Sequence, residues 1–363
     1  MKSTIPLLFM AILANFSAIS RLQAGIYLPG EPLEIPRNAT FSQVRLILSE
    51  LGALSIPDDA SQQQTETSLR PIYIEMRKNL EAKLQAGQAT PEEKLKLGGC
   101  FLRLNQPAKA IACLESARKN LDSSSPLQPQ FCFNLAMAFS FDDLFLDRAI
   151  DMQKQGLQFS TKSSETSFSK WNFQRRTELF YLKLLQEKQF ARDRKINDQN
   201  TISSIFGNFQ SEWKKNKFSS GSVSINFLDS FPPDALDLAI KLLSYRPQDN
   251  NLFWLYGELL NAMGDSSSAS KVLDELVNAR QMSSNPELFE HARSLRRFTL
   301  ELNEQKSLIK IEQKEEPQEP ESSTNPRTSL FSGDLKYFLV GVITGMIAGY
   351  IFQLQLRHWF KRK

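Results

Sequence analysis

The feature that most constrains this chain is a recurrence: Ala235 and Ala269 stand 34 residues apart in matching surroundings. Ala235, Ala239, Leu242 and Pro247 close one unit, and Phe253, Tyr256, Gly257, Leu260, Ala269, Leu273 and Leu276 supply the next. Apolar residues at helical spacing on both sides of Gly264 and Asp265 predict two helices joined by a tight turn, because glycine beside aspartate punctuates a helical pattern. A two-helix unit of this length cannot bury its apolar face alone, so its recurrence predicts a stack.

The stretch from Pro91, PEEKLKLGGCFLRLNQPAKAIACLESARKN, carries the same logic. Small residues at Gly98 and Ala110 let two antiparallel helices cross closely, and Phe101 and Leu114 fill the space between them. Cys132, Leu135, Ala136 and Phe139 begin a further unit, but FDDLFLDRAI holds one residue too many before Ala149, and Gln153 replaces an expected apolar residue. The segment Phe168 to Phe190 reads as one longer helix that continues the stack.

These signatures resemble those of tetratricopeptide (TPR) repeats: L-G-x2-aromatic in Leu97, Gly98 and Phe101, then A-x3-apolar-x2-A in Ala110, Leu114 and Ala117. Taken whole, the chain is similar to a group of exported TPR proteins of the planctomycete type. AGIYLPGEPLEIP with FSQVRLILSELGAL looks like that group's opening segment, and SYRPQDNNLFWLYGELLNAMGDSSSASKVLDELV like its last repeat. The resemblance implies a non-enzymatic repeat architecture and brings no reaction or ligand with it. The expected fold is therefore all-α, a TPR-like solenoid with a single C-terminal transmembrane helix.

The two ends are read by their flanks. Lys2 followed by IPLLFMAILANFSAI and then small and polar residues has the layout of a secretory signal peptide over 1–24, cleaved after Ala24 or after Ser20. At the other end Tyr337 to Phe352 is uncharged, rises ~24 Å as a helix, and reaches the thickness of a bilayer core when Gln353 to Leu356 are added. Arg357, Lys361, Arg362 and Lys363 form a basic tail over 357–363, which belongs on the cytoplasmic side. The ends agree on one orientation, single-pass in the cell membrane with the repeat domain outside the cytoplasm, on the periplasmic side. Within the expected span, 335–356, Gly341, Gly345 and Gly349 make a stripe on which two copies could dimerise.

Between the ends the expected order is a family segment over 25–90, repeats over 91–190, an insertion or long loop over 191–232, repeats over 233–300 and a disordered Glu/Pro-rich tether over 301–334. Lys214, Lys215 and Lys217 in the insertion read as a solvated charge cluster.

The chemistry of the side chains narrows the function. Only His291 and His358 exist, so no histidine cluster can form, and no metal-ligand spacing, phosphate-cradling glycine loop or nucleophile elbow occurs. No catalytic residue, metal or cofactor is expected. A net charge of +4 over 363 residues makes no strong field for nucleic acid, and no nucleic-acid motif is present. Cys100, Cys113 and Cys132 are too few for a disulfide framework and fit either one bridge plus a thiol or three buried side chains.

What remains is binding of a protein or peptide through the surface lined by the first helix of each pair. In the last repeat Asn251, Trp254, Glu258 and Asn261 share one helical face. Arg103 in the first repeat, and Phe133 and Met137 in the second, are its counterparts; the aromatics and methionine fit burial between repeats equally well. The leading expectation is a membrane-tethered adaptor or scaffold, with a self-assembling structural envelope component and an accessory subunit of a membrane enzyme as alternatives.

Overall fold

The computed structural model describes residues 26, 28, 31, 35, 36, 39–54, 69–122, 124–160, 167–195, 202–207, 231–282 and 285–312, with side chains to residue 305. The described residues are all-α, without a strand. The expected signal peptide, Lys214, Lys215 and Lys217, and the expected membrane segment with Gly341, Gly345 and Gly349 lie outside them. Among the described residues no helix is long and apolar enough to cross a membrane.

The helices are α1 (Phe41–Leu54), α2 (Arg70–Gln85), α3 (Pro91–Arg103), α4 (Pro107–Lys119), α5 (Gln128–Phe139), α6 (Leu146–Phe159), α7 (Phe168–Asp193), α8 (Ala235–Tyr245), α9 (Asn250–Ala262), α10 (Ser266–Asn278) and α11 (Pro286–Glu312). Several starts have a local cause. Thr90 Oγ1 accepts from the Glu93 amide while the Glu93 carboxylate accepts from the Thr90 amide, closing a capping box before α3. Asp249 and Asp265 cap α9 and α10 by accepting from Leu252 N and Ser268 N. The turns of the α3–α4 and α9–α10 hairpins use a left-handed residue, Asn105 (φ 55°) after α3 and Gly264 (φ 87°) after α9.

Hairpins α3–α4 and α9–α10 share one register. A Cβ on Gly98 would come within 2.4 Å of Leu114, and one on Gly257 within 2.7 Å of Leu273. In both pairs the glycine stands on the first helix, sixteen positions before the leucine on the second. The α5–α6 hairpin reverses the roles: Phe133 on the first helix fills the space over Gly156 on the second. A 3₁₀ turn, Asp143–Phe145, absorbs the extra residue between them. Buried Gln153, where an apolar side chain was expected, donates from Nε2 to Glu178 Oε2 at 2.7 Å and to Glu178 O at 3.0 Å, which ties it to α7.

Three findings modify the sequence reading. Residues 202–207, inside the expected insertion, are docked: Ile202, Ile205 and Phe206 are buried, Phe206 lies 4.7 Å from the Phe180 ring, and Ser203 and Ser204 bond Glu187 of α7. Helix α11 runs to Glu312, so residues 301–312, expected in the tether, are helical; Glu, Leu, Gln and Lys dominate them, and proline is absent. Cys100, Cys113 and Cys132 are all free thiols, and Cys100 is wholly buried, its pKa pushed up to about 12 by burial.

The close approach at Gly98 yields a signed test. Gly98→Ala should destabilise by ~1–3 kcal/mol although alanine is the better helix former. Gly98→Ala combined with Leu114→Ala should cost less than the sum of the two single changes by ~0.5–3 kcal/mol. Urea denaturation of the four proteins measures both quantities, and strict additivity would contradict the contact.

Candidate functional site

The first helices α3, α5 and α7 present side chains to one place, and the chain itself occupies it. Helix α8 runs beside α7 in the same direction: Asp234 pairs with Arg176, Tyr245 meets Tyr181 edge-on at 5.8 Å, and Asp249 meets Lys188 at 2.7 Å. The end of α8 therefore lands on the shared face of the first helices. Arg103 Nη1 donates to Ser244 O at 2.5 Å, Arg246 Nη1 to Ser140 O at 3.2 Å, and the Tyr245 hydroxyl lies 3.4 Å from Glu178 Oε1. Tyr181 Oη, beneath them, lies 3.3 Å from Met137 Sδ and 2.8 Å from Ser140 Oγ.

This arrangement decides the fate of the groove residues read from the sequence. Met137 is buried under Tyr181, and Phe133 is packed on Gly156 inside its own hairpin. Trp254 is fully buried and donates from Nε1 to Glu258 Oε1 at 3.0 Å; Nδ1 of His291 on α11 lies 3.0 Å from that same oxygen. Asn261 is buried and accepts from Ser266 Oγ across the α9–α10 turn. Trp254, Glu258, Asn261, Phe133 and Met137 thus do not line an open groove. The physical reason is that the stack's exposed faces are apolar enough to be worth covering, and α8 and α11 cover them.

The N-terminal residues complete the cover. Ile26 and Leu28 are buried, and buried Glu31 accepts from Arg103 Nε at 2.6 Å and from Tyr73 Oη at 2.7 Å. Helix α1 lies on the second group of helices: Phe41 stacks on Tyr256 at 6.5 Å and Arg45 pairs with Glu275 at 2.8 Å. Gln248 ties the α8–α9 link to Gly52 O at 3.1 Å.

At the α8–α9 junction a cavity of about 660 Å³ remains. Arg103 and Asn251, two of the residues expected from the sequence, line it. The others were not foreseen: Lys188, Arg246, Asp249 and Arg280 supply its remaining charges, so four basic residues face one acid, and Asn105, Gln248, Asn250 and Gln281 add to Asn251 to give five carboxamides. A signal for two of them existed. Arg246 and Arg280 are 34 residues apart, each just after a second helix, on the beat of Ala235 and Ala269.

The charges are coupled. Burial pushes the Asp249 carboxyl up, but Lys188 and Arg246 outweigh it and hold the carboxyl down at about 2. Arg280 is lowered by burial against a partial return from Glu275; its guanidinium lies 3.9 Å over the Phe253 ring and Nη1 donates to Pro247 O at 3.1 Å. Among the described residues no three His, Cys, Asp or Glu side chains gather to hold a metal ion. Comparison with family models, curated proteins and solved structures found no match.

Two outcomes follow from these pairs. Glu31→Gln leaves the Arg103 charge buried without its counter-ion and should cost ~3–5 kcal/mol in urea unfolding. Asp249 is depressed on folding, so its stabilisation is complete above its ordinary value of 3.8 and is lost as pH falls toward 2. That difference is worth roughly 2 kcal/mol. Between pH 5 and pH 2 the wild type should lose about that much more stability than Asp249→Asn, measured by denaturation at each pH.

Proposed function

We propose that this chain is a TPR-type interaction scaffold, tethered by a C-terminal membrane helix, that holds a protein or peptide partner outside the cytoplasm. The observation that carries the reading is the cavity at the α8–α9 junction, framed by α3, α7 and the two links that follow α8 and α10. Several of its lining side chains are held: Arg103 by Glu31 and Ser244, Lys188 by Asp249, Gln248 by Gly52. A preorganised recess of this kind loses little entropy when a partner's segment enters it. Its volume lies within the range of about 300–1,000 Å³ usual for ligand pockets. Register identity between α3–α4 and α9–α10 supports the repeat assignment, and the spent faces of Trp254 and Met137 direct partner binding to the cavity in place of an open groove.

A photo-crosslinking amino acid in place of exposed Gln248, at the cavity, tests this against the same residue in place of exposed Lys154 on α6. Irradiation of intact membranes should give a heterologous adduct at least fivefold stronger from position 248. Equal yields from both positions, or adducts of the chain with itself only, would reject the reading.

A further inference from the structure

We propose that the cavity at the α8–α9 junction receives an acidic peptide segment, its carboxylates taken by Arg246 and Arg280 and its backbone by the surrounding carboxamides. This rests on the scaffold reading and adds the partner's chemistry.

The argument is a count of charge at short range. Asp249 faces two cations, Lys188 at 2.7 Å and Arg246 at 3.9 Å. Glu275 likewise faces two, Arg45 through Oε2 at 2.8 Å and Arg280 through Oε1 at 3.3 Å. Glu31 and Arg103 balance one to one. Among the described residues each of the first two acids is outnumbered, so their charged side chains around the cavity leave a surplus of positive charge. Arg246 and Arg280 are the arginines of these trios that line the cavity: Arg246 is beyond hydrogen-bond reach of Asp249 and is held by Ser140 O, and Arg280 shares Glu275 with Arg45 while bonding Pro247 O and Asn250 Oδ1.

Both guanidiniums are largely buried, at 20% and 18% side-chain exposure, so water compensates them poorly. A planar guanidinium short of an anion is best completed by a carboxylate, which it grips through two parallel bonds. Gln248 and Gln281 are exposed at the same cavity, and a carboxamide both donates and accepts, as a peptide group requires. A small inorganic anion would use the arginines and leave the carboxamides idle.

The full-length chain in detergent is titrated against fluorescein-labelled tetraglutamate and labelled tetraglutamine, followed by anisotropy. Tetraglutamate should bind at least tenfold more tightly, and Arg246→Gln and Arg280→Gln should each weaken it at least fivefold. Arg280 also packs on Phe253, so exposed Gln281 provides variants that remove no internal bond: Gln281→Glu should weaken tetraglutamate at least threefold and Gln281→Lys should strengthen it, with unchanged thermal unfolding. Equal affinity for the two peptides, or no response to charge at position 281, overturns the proposal. Displacement by inorganic phosphate at the same concentration as unlabelled tetraglutamate overturns it as well, by making the cavity a small-anion site. A heterologous crosslink from position 248 alongside such failures would leave the scaffold reading standing without its acidic partner.

Discussion

The structure depends on how closely two helices can approach within a hairpin. Where Gly98 faces Leu114 and Gly257 faces Leu273, the absent Cβ is the space the leucine fills. Interior packing leaves no slack for a further carbon, so this single constraint sets helix separation and crossing in both hairpins. Phe133 over Gly156 solves the same problem with large and small exchanged, while the 3₁₀ turn takes up the longer connection and Glu178 receives Gln153.

Stacked hairpins leave one long face uncovered, and the chain covers that face with its own parts. The end of α8 comes down on α3, α5 and α7; α11 brings His291 against Glu258; α1 and the residues before it reach both groups of helices. Burial of the apolar face drives this, and the polar groups along it are accommodated by bonds made on arrival, as between Arg103 and Ser244 O. A fully covered face is a poor docking surface. The recess left where the covering elements meet is therefore the feature on which a binding role turns, and its wall is charged because the links that form it are turns, where Arg246, Asp249 and Arg280 are at home.

The charged wall also has a structural cost that its partners offset. Arg103 and Asp249 are nearly inaccessible, and each is held by a bonded counter-ion and by backbone. Buried charge of this kind adds little to stability on balance while penalising any arrangement that separates the partners. It fixes the register between the N-terminal residues, the first helices and the α8–α9 link.

Sequence pattern alone determined that the repeats are helical, that one hairpin turns at Gly264 and Asp265, and that Gly98 is a contact position, because these are local consequences of spacing and side-chain size. It also marked Arg103, Asn251, Trp254, Glu258, Asn261, Phe133 and Met137 as one kind of position, since each stands on the first helix of a pair. Only the tertiary structure decided which of them stay accessible. Arg103 and Asn251 reach a cavity while Trp254 and Met137 are sealed, because the covering elements come from residues tens to hundreds of positions away, and no helical pattern records where a distant segment will land. For the same reason nothing in the local pattern joins Lys188 and Asp249 to Arg246 and Arg280, which meet around one cavity only once α7, α8 and α10 bring their ends together.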